Sequence, residues 1–394
     1  MNFRHLAGAV ALSAALAAVA CGDDKSPAQP TPPPPPPPPP AAPVLTAPKA
    51  DLPAENDQLQ TLRPQLRVLN ATADQAGTRT YEFQISDDPD FAPASASSLG
   101  RFYKVVLTQG SVAEGGDGKT VFDVPADLQP TTRFYWRARA HQGTTDGPFS
   151  ATATFRTRIQ GYNRAGETFD PLTNGSTVGN IINSITLTPG RGATINSNES
   201  HVRYDLPVTI NAGEFSFEAD GITNDGPGDK TKMMSMFNGD GDITDSNWRM
   251  TVEKRDGGVI AWRFIAGRPG GAQIDTEGSS ERIPVNFNPG AVYFWKASWG
   301  GGFDLNIFEG GITGNRIYSF GKSLGATYNP QPHRAYLGSV VGRAGPDSAS
   351  VVGATYRNVY IGDQSHKRPI SLGTAEIENP NDDPRIKYRG IKTW

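Results

Sequence analysis

The chain has a single cysteine, Cys21, in 394 residues. An intramolecular disulfide is therefore excluded, and so is any cysteine-built zinc or redox site. Histidine is scarce, at 5 residues, and neither His201 nor His333 sits in a recognisable motif. No Gly-x-Ser-x-Gly, His-Glu-x-x-His or glycine-rich phosphate loop occurs. Long helical periodicity is absent, and no apolar run reaches the length of about 20 residues that a membrane-crossing helix needs. The formal charge is only −3, without the basic surplus or stripe of a nucleic-acid binder.

Glycine (44) and proline (33) are plentiful instead. Together with many short runs of alternating polarity, they predict an all-β chain of short strands and tight turns, arranged as sandwiches or barrels. The length predicts two domains once leader and tails are set aside.

Residues 1–20 have the three parts of a secretory signal: Arg4, an apolar stretch from Leu6 to Val19, and the small residues Ala18 and Ala20 before a cut. The stretch is too short to span a bilayer. The ending Ala18-Val19-Ala20-Cys21 resembles the bacterial lipobox, although that family prefers Leu where Ala18 stands. The resemblance implies that Cys21 is the lipidated mature N-terminus and that the membrane is a partner, since two or three acyl chains anchor stably. Gly22, rather than Asp, follows the cysteine, which by the same resemblance implies the outer membrane or cell surface. Residues 21–43 continue as a linker with an unbroken proline run over 32–40. Such a run adopts polyproline II, so residues 26–43 form a semi-rigid spacer of roughly 50–60 Å.

The first folded unit is expected over 44–157. Thr80-Tyr81-Glu82-Phe83-Gln84-Ile85 alternates and then meets a turn cluster at 86–90. Residues 102–107 and 120–124 are further strand candidates. Phe134, Trp136, Ala138 and Ala140 share one face of another strand. Leu128-Gln129-Pro130-Thr131-Thr132-Arg133-Phe134 and the following Trp136-Arg137-Ala138-Arg139-Ala140 resemble the closing part of a fibronectin type III domain. Phe134 takes the place of the corner tyrosine, so the corner hydroxyl bond is missing unless Tyr135 shifts register to make it. The resemblance implies a spacer or weak binding platform.

The second unit is expected over 162–365. Phe215 and Phe217 oppose Glu214 and Glu218; Met250 and Val252 oppose Arg249 and Glu253; Trp262 opposes Arg263; Leu305 and Ile307 oppose Asp304 and Asn306. Such strands fit a two-sheet jelly roll. Ala291-Val292-Tyr293-Phe294-Trp295-Lys296-Ala297-Ser298-Trp299, a glycine turn, and Phe303-Asp304-Leu305-Asn306-Ile307-Phe308 resemble a concanavalin A-like or laminin G-like domain. That resemblance implies a ligand, most often a sugar, on a sheet face or at one rim. Residues 366–394 read as a polar tail.

Tyr293, Trp295 and Trp299 share strand parity, with the tryptophans roughly 13 Å apart. They either stack on pyranose faces or pack the core. If they are core, the polar residues Arg249, Arg263, Asp304 and Asn306 become the candidate groove. Asp240, Asp242 and Asp245 could hold calcium, although the first and twelfth positions of a calcium loop fall on Met236 and Asn247. Glu218-Ala219-Asp220 begins a glycanase pattern, but Thr223 stands where the second acid belongs. The expected function is a lipid-anchored surface protein whose jelly roll binds polysaccharide without catalysis. The alternatives are a glycan hydrolase or lyase, and an adhesive protein-binding lipoprotein.

Overall fold

The computed structural model describes residues 41–87, 89–91, 107–224, 230–237, 248–255, 259–266, 283–300, 302–323, 332–340 and 351–363. The leader, Cys21, the proline run, the calcium candidates Asp240, Asp242 and Asp245, and the tail lie outside them. Among the described residues every regular element of length is a strand, and no helix is long and apolar enough to cross a membrane.

The first sandwich holds β1 (Lys49–Leu52), β2 (Asp57–Gln58), β3 (Gln65–Leu69), β4 (Arg79–Ser86), β5 (Leu107–Ala113), β6 (Lys119–Asp123), β7 (Arg133–Gln142), β8 (Thr145–Asp146) and β9 (Ala153–Arg156). One sheet runs β1-β3-β6 and the other β2-β9-β7-β4-β5, with β8 paired to β7. The predicted alternation is obeyed: Phe134, Trp136, Ala138 and Ala140 are buried and join Leu66, Phe83 and Phe122 in one apolar core. Phe83 stacks between Phe122 and Trp136, with ring centroids at 5.4 and 6.4 Å. With Phe134 unable to make the corner bond, the Thr131 and Thr157 hydroxyls tie the loop instead. Thr157 donates to the Gln129 carbonyl at 2.5 Å and Thr131 to the Gln160 carbonyl at 3.2 Å.

The second sandwich begins with β10 (Tyr162–Arg164), β11 (Glu167–Asp170), β12 (Asn180–Ile182), β13 (Ile185–Thr188), β14 (Gly192–Ile195), β15 (His201–Asp205) and β16 (Gly213–Asp220). It continues with β17 (Lys230–Phe237), β18 (Trp248–Arg255), β19 (Val259–Ala266), β20 (Ile283–Pro284), β21 (Tyr293–Trp299), β22 (Gly302–Glu309), β23 (Asn315–Ser323), β24 (Arg334–Val340) and β25 (Thr355–Asp363). A nine-stranded sheet follows the path β10-β11-β25-β16-β21-β22-β23, with β13 and β14 to one side. A seven-stranded sheet runs β12-β15-β24-β17-β18-β19-β20. Phe215, Phe217, Trp295 and Leu305 of the larger sheet share one buried cluster with Tyr204, Met234, Met250 and Val252 of the smaller. The two sheets therefore pack face to face on alternate residues of each strand.

Candidate functional site

The aromatic stripe settles which side of β21 is the interior. Tyr293 and Trp295 are fully buried and Trp299 is 1% exposed. Trp295 is held flat between Phe217 and Phe287, at 5.9 and 5.7 Å with interplanar angles of 10° and 11°. The Trp299 indole donates to the Ile210 carbonyl at 2.8 Å, and the Tyr293 hydroxyl donates to Glu309 at 3.0 Å. No pyranose can stack on rings already covered on their faces. Tyr293, Trp295 and Trp299 are core residues, and their candidacy as a binding platform is withdrawn.

The polar candidates divide as well. Asp304 and Asn306 lie on β22 of the nine-stranded sheet, whereas Arg249 and Arg263 lie on β18 and β19 of the seven-stranded sheet. The two pairs therefore belong to different sheets and are not neighbours on one sheet. The pattern of single strands could show parity but not which strands share a sheet.

The outer face of the nine-stranded sheet is built by two adjacent rows. Register places Gly362, Glu214, Ser298, Asp304 and Gly321 side by side across β25, β16, β21, β22 and β23. The next row is Tyr360, Ser216, Lys296, Asn306 and Ser319. At the centre the Lys296 ammonium lies 3.1 Å from Glu214, with side-chain exposures of 6% and 10%. The Ser216 hydroxyl donates to the second Glu214 oxygen at 2.6 Å. The Lys296 ammonium and the Ser216 hydroxyl thus hold one Glu214 oxygen each. Asp304 is half-buried; burial raises its carboxyl above the ordinary range, against the pull of the Asn306 amide and of Lys296 and Arg316.

One end of this face is closed by Tyr360. A Cβ on Gly362 would lie 2.1 Å from the Tyr360 hydroxyl oxygen, so the ring covers the glycine and only glycine fits there. The hydroxyl has no hydrogen-bond partner among the described residues. Burial, and then the negative charge of Glu167, holds it protonated well above the ordinary phenol range. The opposite flank is charged: Arg357 binds Asp220 at 2.5 Å and Glu218 at 3.3 Å, and Asn358 donates to Glu218 at 2.9 Å. Glu218 and Asp220 are thus structural partners of Arg357, which explains them without a glycanase site.

Chemically, the face offers carboxylates, one ammonium, an amide and hydroxyls. Glu214 and Asp304 stand two strand spacings apart, about 10 Å between backbones. Lys296 and Ser216 already occupy the two Glu214 oxygens, which does not suit that carboxyl to act on a glycosidic bond. Nor do the described residues gather three metal-ligating side chains. Sequence reasoning missed Glu214 and Lys296 as a pair, because only the β16–β21 register brings them together.

No family model matches the chain, and no curated protein matches it. Among solved structures, full-length tailspike protein 2 of the Escherichia coli O157:H7 bacteriophage CAB120 is 17% identical, covering 53% of this chain and 28% of its own, with a TM-score of 0.33. The enzymatically active domain of the bacteriophage CBA120 tailspike protein 2 gives 18%, 53%, 31% and 0.33. The chicken CNTN1 FN1-FN3 domains are 10% identical over 71% of this chain and 66% of theirs, with a TM-score of 0.17. The matches thus span less than two thirds of each of those chains. Likenesses this slight carry no argument about activity.

Proposed function

We propose that the chain is a lipid-anchored surface protein that binds glycan, without catalysis, on the outer face of the nine-stranded sheet. One observation carries this reading: the buried, hydrogen-bonded Glu214–Lys296 pair on a face that also holds Ser298, Asp304, Asn306 and Ser319, with an apolar cluster of Phe294, Phe308 and Ile312 beside it. An isolated ion pair withdrawn from water is costly to maintain and adds little to stability over apolar residues. It does present fixed donors and acceptors, and sugar hydroxyls need both. Asp304 and Asn306, half-buried beside the pair, are the groups a ligand would reach first. The sandwich over 162–365 is read as concanavalin A-like and the one over 44–157 as a fibronectin type III-like spacer. Cys21 and the proline segment would carry both clear of the membrane. Calcium at Asp240, Asp242 and Asp245 is a further proposal, tested by binding in the presence of a chelator.

The experiment is a glycan array probed with the full chain and with Asn306→Ala. Binding to a defined set of glycans that weakens in the variant supports the proposal. An array without bound glycan refutes it.

A further inference from the structure

Across the adjacent strands β7 and β9 of the first sandwich, Arg133 is the register partner of Arg156. Their chain neighbours Phe134 and Phe155 belong to the core, so both arginines stand on the outer face of the sheet. Opposed residues of an antiparallel pair have Cβ atoms about 5 Å apart, and like charges placed so repel. Both side chains are half-buried. Arg133 Nε and Arg156 Nε are fully buried, and neither has a hydrogen-bond partner among the described residues. Neither guanidinium has an ion-pair partner among those residues either. Burial, and then the Arg133 charge, lower the Arg156 guanidinium from its ordinary value, against the pull of Tyr135. An arginine nonetheless stays a cation at neutral pH.

Other arginines of the sandwich are arranged differently. Arg63, Arg67 and Arg79 pair with Asp127, Asp51 and Glu114 at 2.6, 2.6 and 2.5 Å. On the same face as the opposed pair, Arg139 binds Glu82 at 2.7 Å and Asp146 at 3.1 Å. Arg137 donates to Gln84 at 2.9 Å and lies over the Phe91 and Phe149 rings, 4.1 and 4.2 Å from their centroids. The Glu55 carboxylate, beside β9, is taken by the Thr154 amide at 2.9 Å and the Thr154 hydroxyl at 2.6 Å. Arg133 and Arg156 are thus two adjacent cations with no carboxylate of the described residues to offset them.

From this pair we infer an oxyanion site on the first sandwich, where both guanidinium groups hold one doubly charged phosphate group. Each guanidinium presents a planar fork of N–H donors that matches phosphate oxygens. A phosphomonoester carries about −1.5 to −2 charge at pH 7, enough to offset both arginines, whereas a carboxylate offsets one. Inorganic phosphate and an organic phosphomonoester share this chemistry, and the test separates them. The inference does not rest on glycan binding by the nine-stranded sheet.

The test is calorimetric titration of the full chain at low salt with inorganic phosphate, glycerol 3-phosphate or acetate. Both phosphates bind, and acetate binds about tenfold more weakly or not at all, as a single charge offsets one arginine alone. A higher affinity for glycerol 3-phosphate assigns the group to a larger molecule, and an affinity no higher assigns it to the free ion. Arg133→Gln and Arg156→Gln each lower phosphate affinity by about tenfold, the loss expected of one charge-assisted contact. Each also removes the repulsion, so its urea midpoint in phosphate-free buffer is no lower than that of the native chain. Should a glutamine variant unfold earlier, Arg156→Lys, which keeps the charge and loses the fork, reads the same weakening. Arg139→Gln leaves phosphate affinity unchanged. Absence of phosphate binding, acetate bound as tightly as phosphate, or native phosphate affinity in the Arg133 and Arg156 variants overturns the inference.

Discussion

Lys296 and Glu214 face each other across adjacent strands at 3.1 Å, on a sheet face that in an ordinary sandwich would carry loosely solvated side chains. Removing one partner strands the other. Lys296→Met should destabilise the chain by about 3–5 kcal/mol, because an unpaired buried carboxylate remains. Lys296→Met combined with Glu214→Gln should recover most of that loss. Urea unfolding of the three variants measures both values, and a double variant no better than the single one would show that the pair is not coupled.

Trp295 is predicted to behave as core. Trp295→Ala should cost about 3–5 kcal/mol through the cavity left between Phe217 and Phe287. Trp295→Phe should cost less and leave ligand affinity intact. Loss of affinity in a Trp295→Phe chain of near-native stability would restore the aromatic stripe to the binding site.

How far the fold was legible in the sequence follows from these residues. Period-2 alternation placed Phe215, Phe217, Trp295, Leu305 and Ile307 on one face of their strands, and they are together in the core. Alternation is a local property and each strand displays it by itself. The strand order is not local. Asp304 and Arg263 have the same parity relation to the apolar residues of their strands, yet β22 and β19 belong to different sheets. Strands β10 to β15 were harder to read than the later ones, since three of them are only three or four residues long with exposed or mixed positions.

Stability should depend on pH through His201. Burial holds its imidazole below the ordinary value of 6.5, with Nδ1 3.0 Å from the Glu199 carbonyl oxygen. The folded state then binds fewer protons than the unfolded chain in this range. The stabilisation is present above about 6.5 and lost as the pH falls through that value and through the lower folded one. Urea midpoints should drop on acidification, and His201→Gln should flatten that drop. An unchanged slope would mean that His201 does not titrate on unfolding.

We propose that Cys21 carries the membrane anchor. Expressed with its leader in a bacterium, the chain should incorporate labelled fatty acid and sediment with membranes, whereas Cys21→Ser should do neither. Labelling that survives the substitution would place the lipid elsewhere.

The central claim is that the outer face of the nine-stranded sheet is a glycan site. The most direct measurement is calorimetric titration of the full chain with the best array glycan, compared with Asp304→Ala and Asn306→Ala. These residues are half-buried on β22, and neither belongs to the core cluster. The account predicts that each variant keeps its unfolding midpoint and loses about tenfold in affinity, as when one polar partner of a ligand hydroxyl is removed. Native affinity in both variants would contradict it.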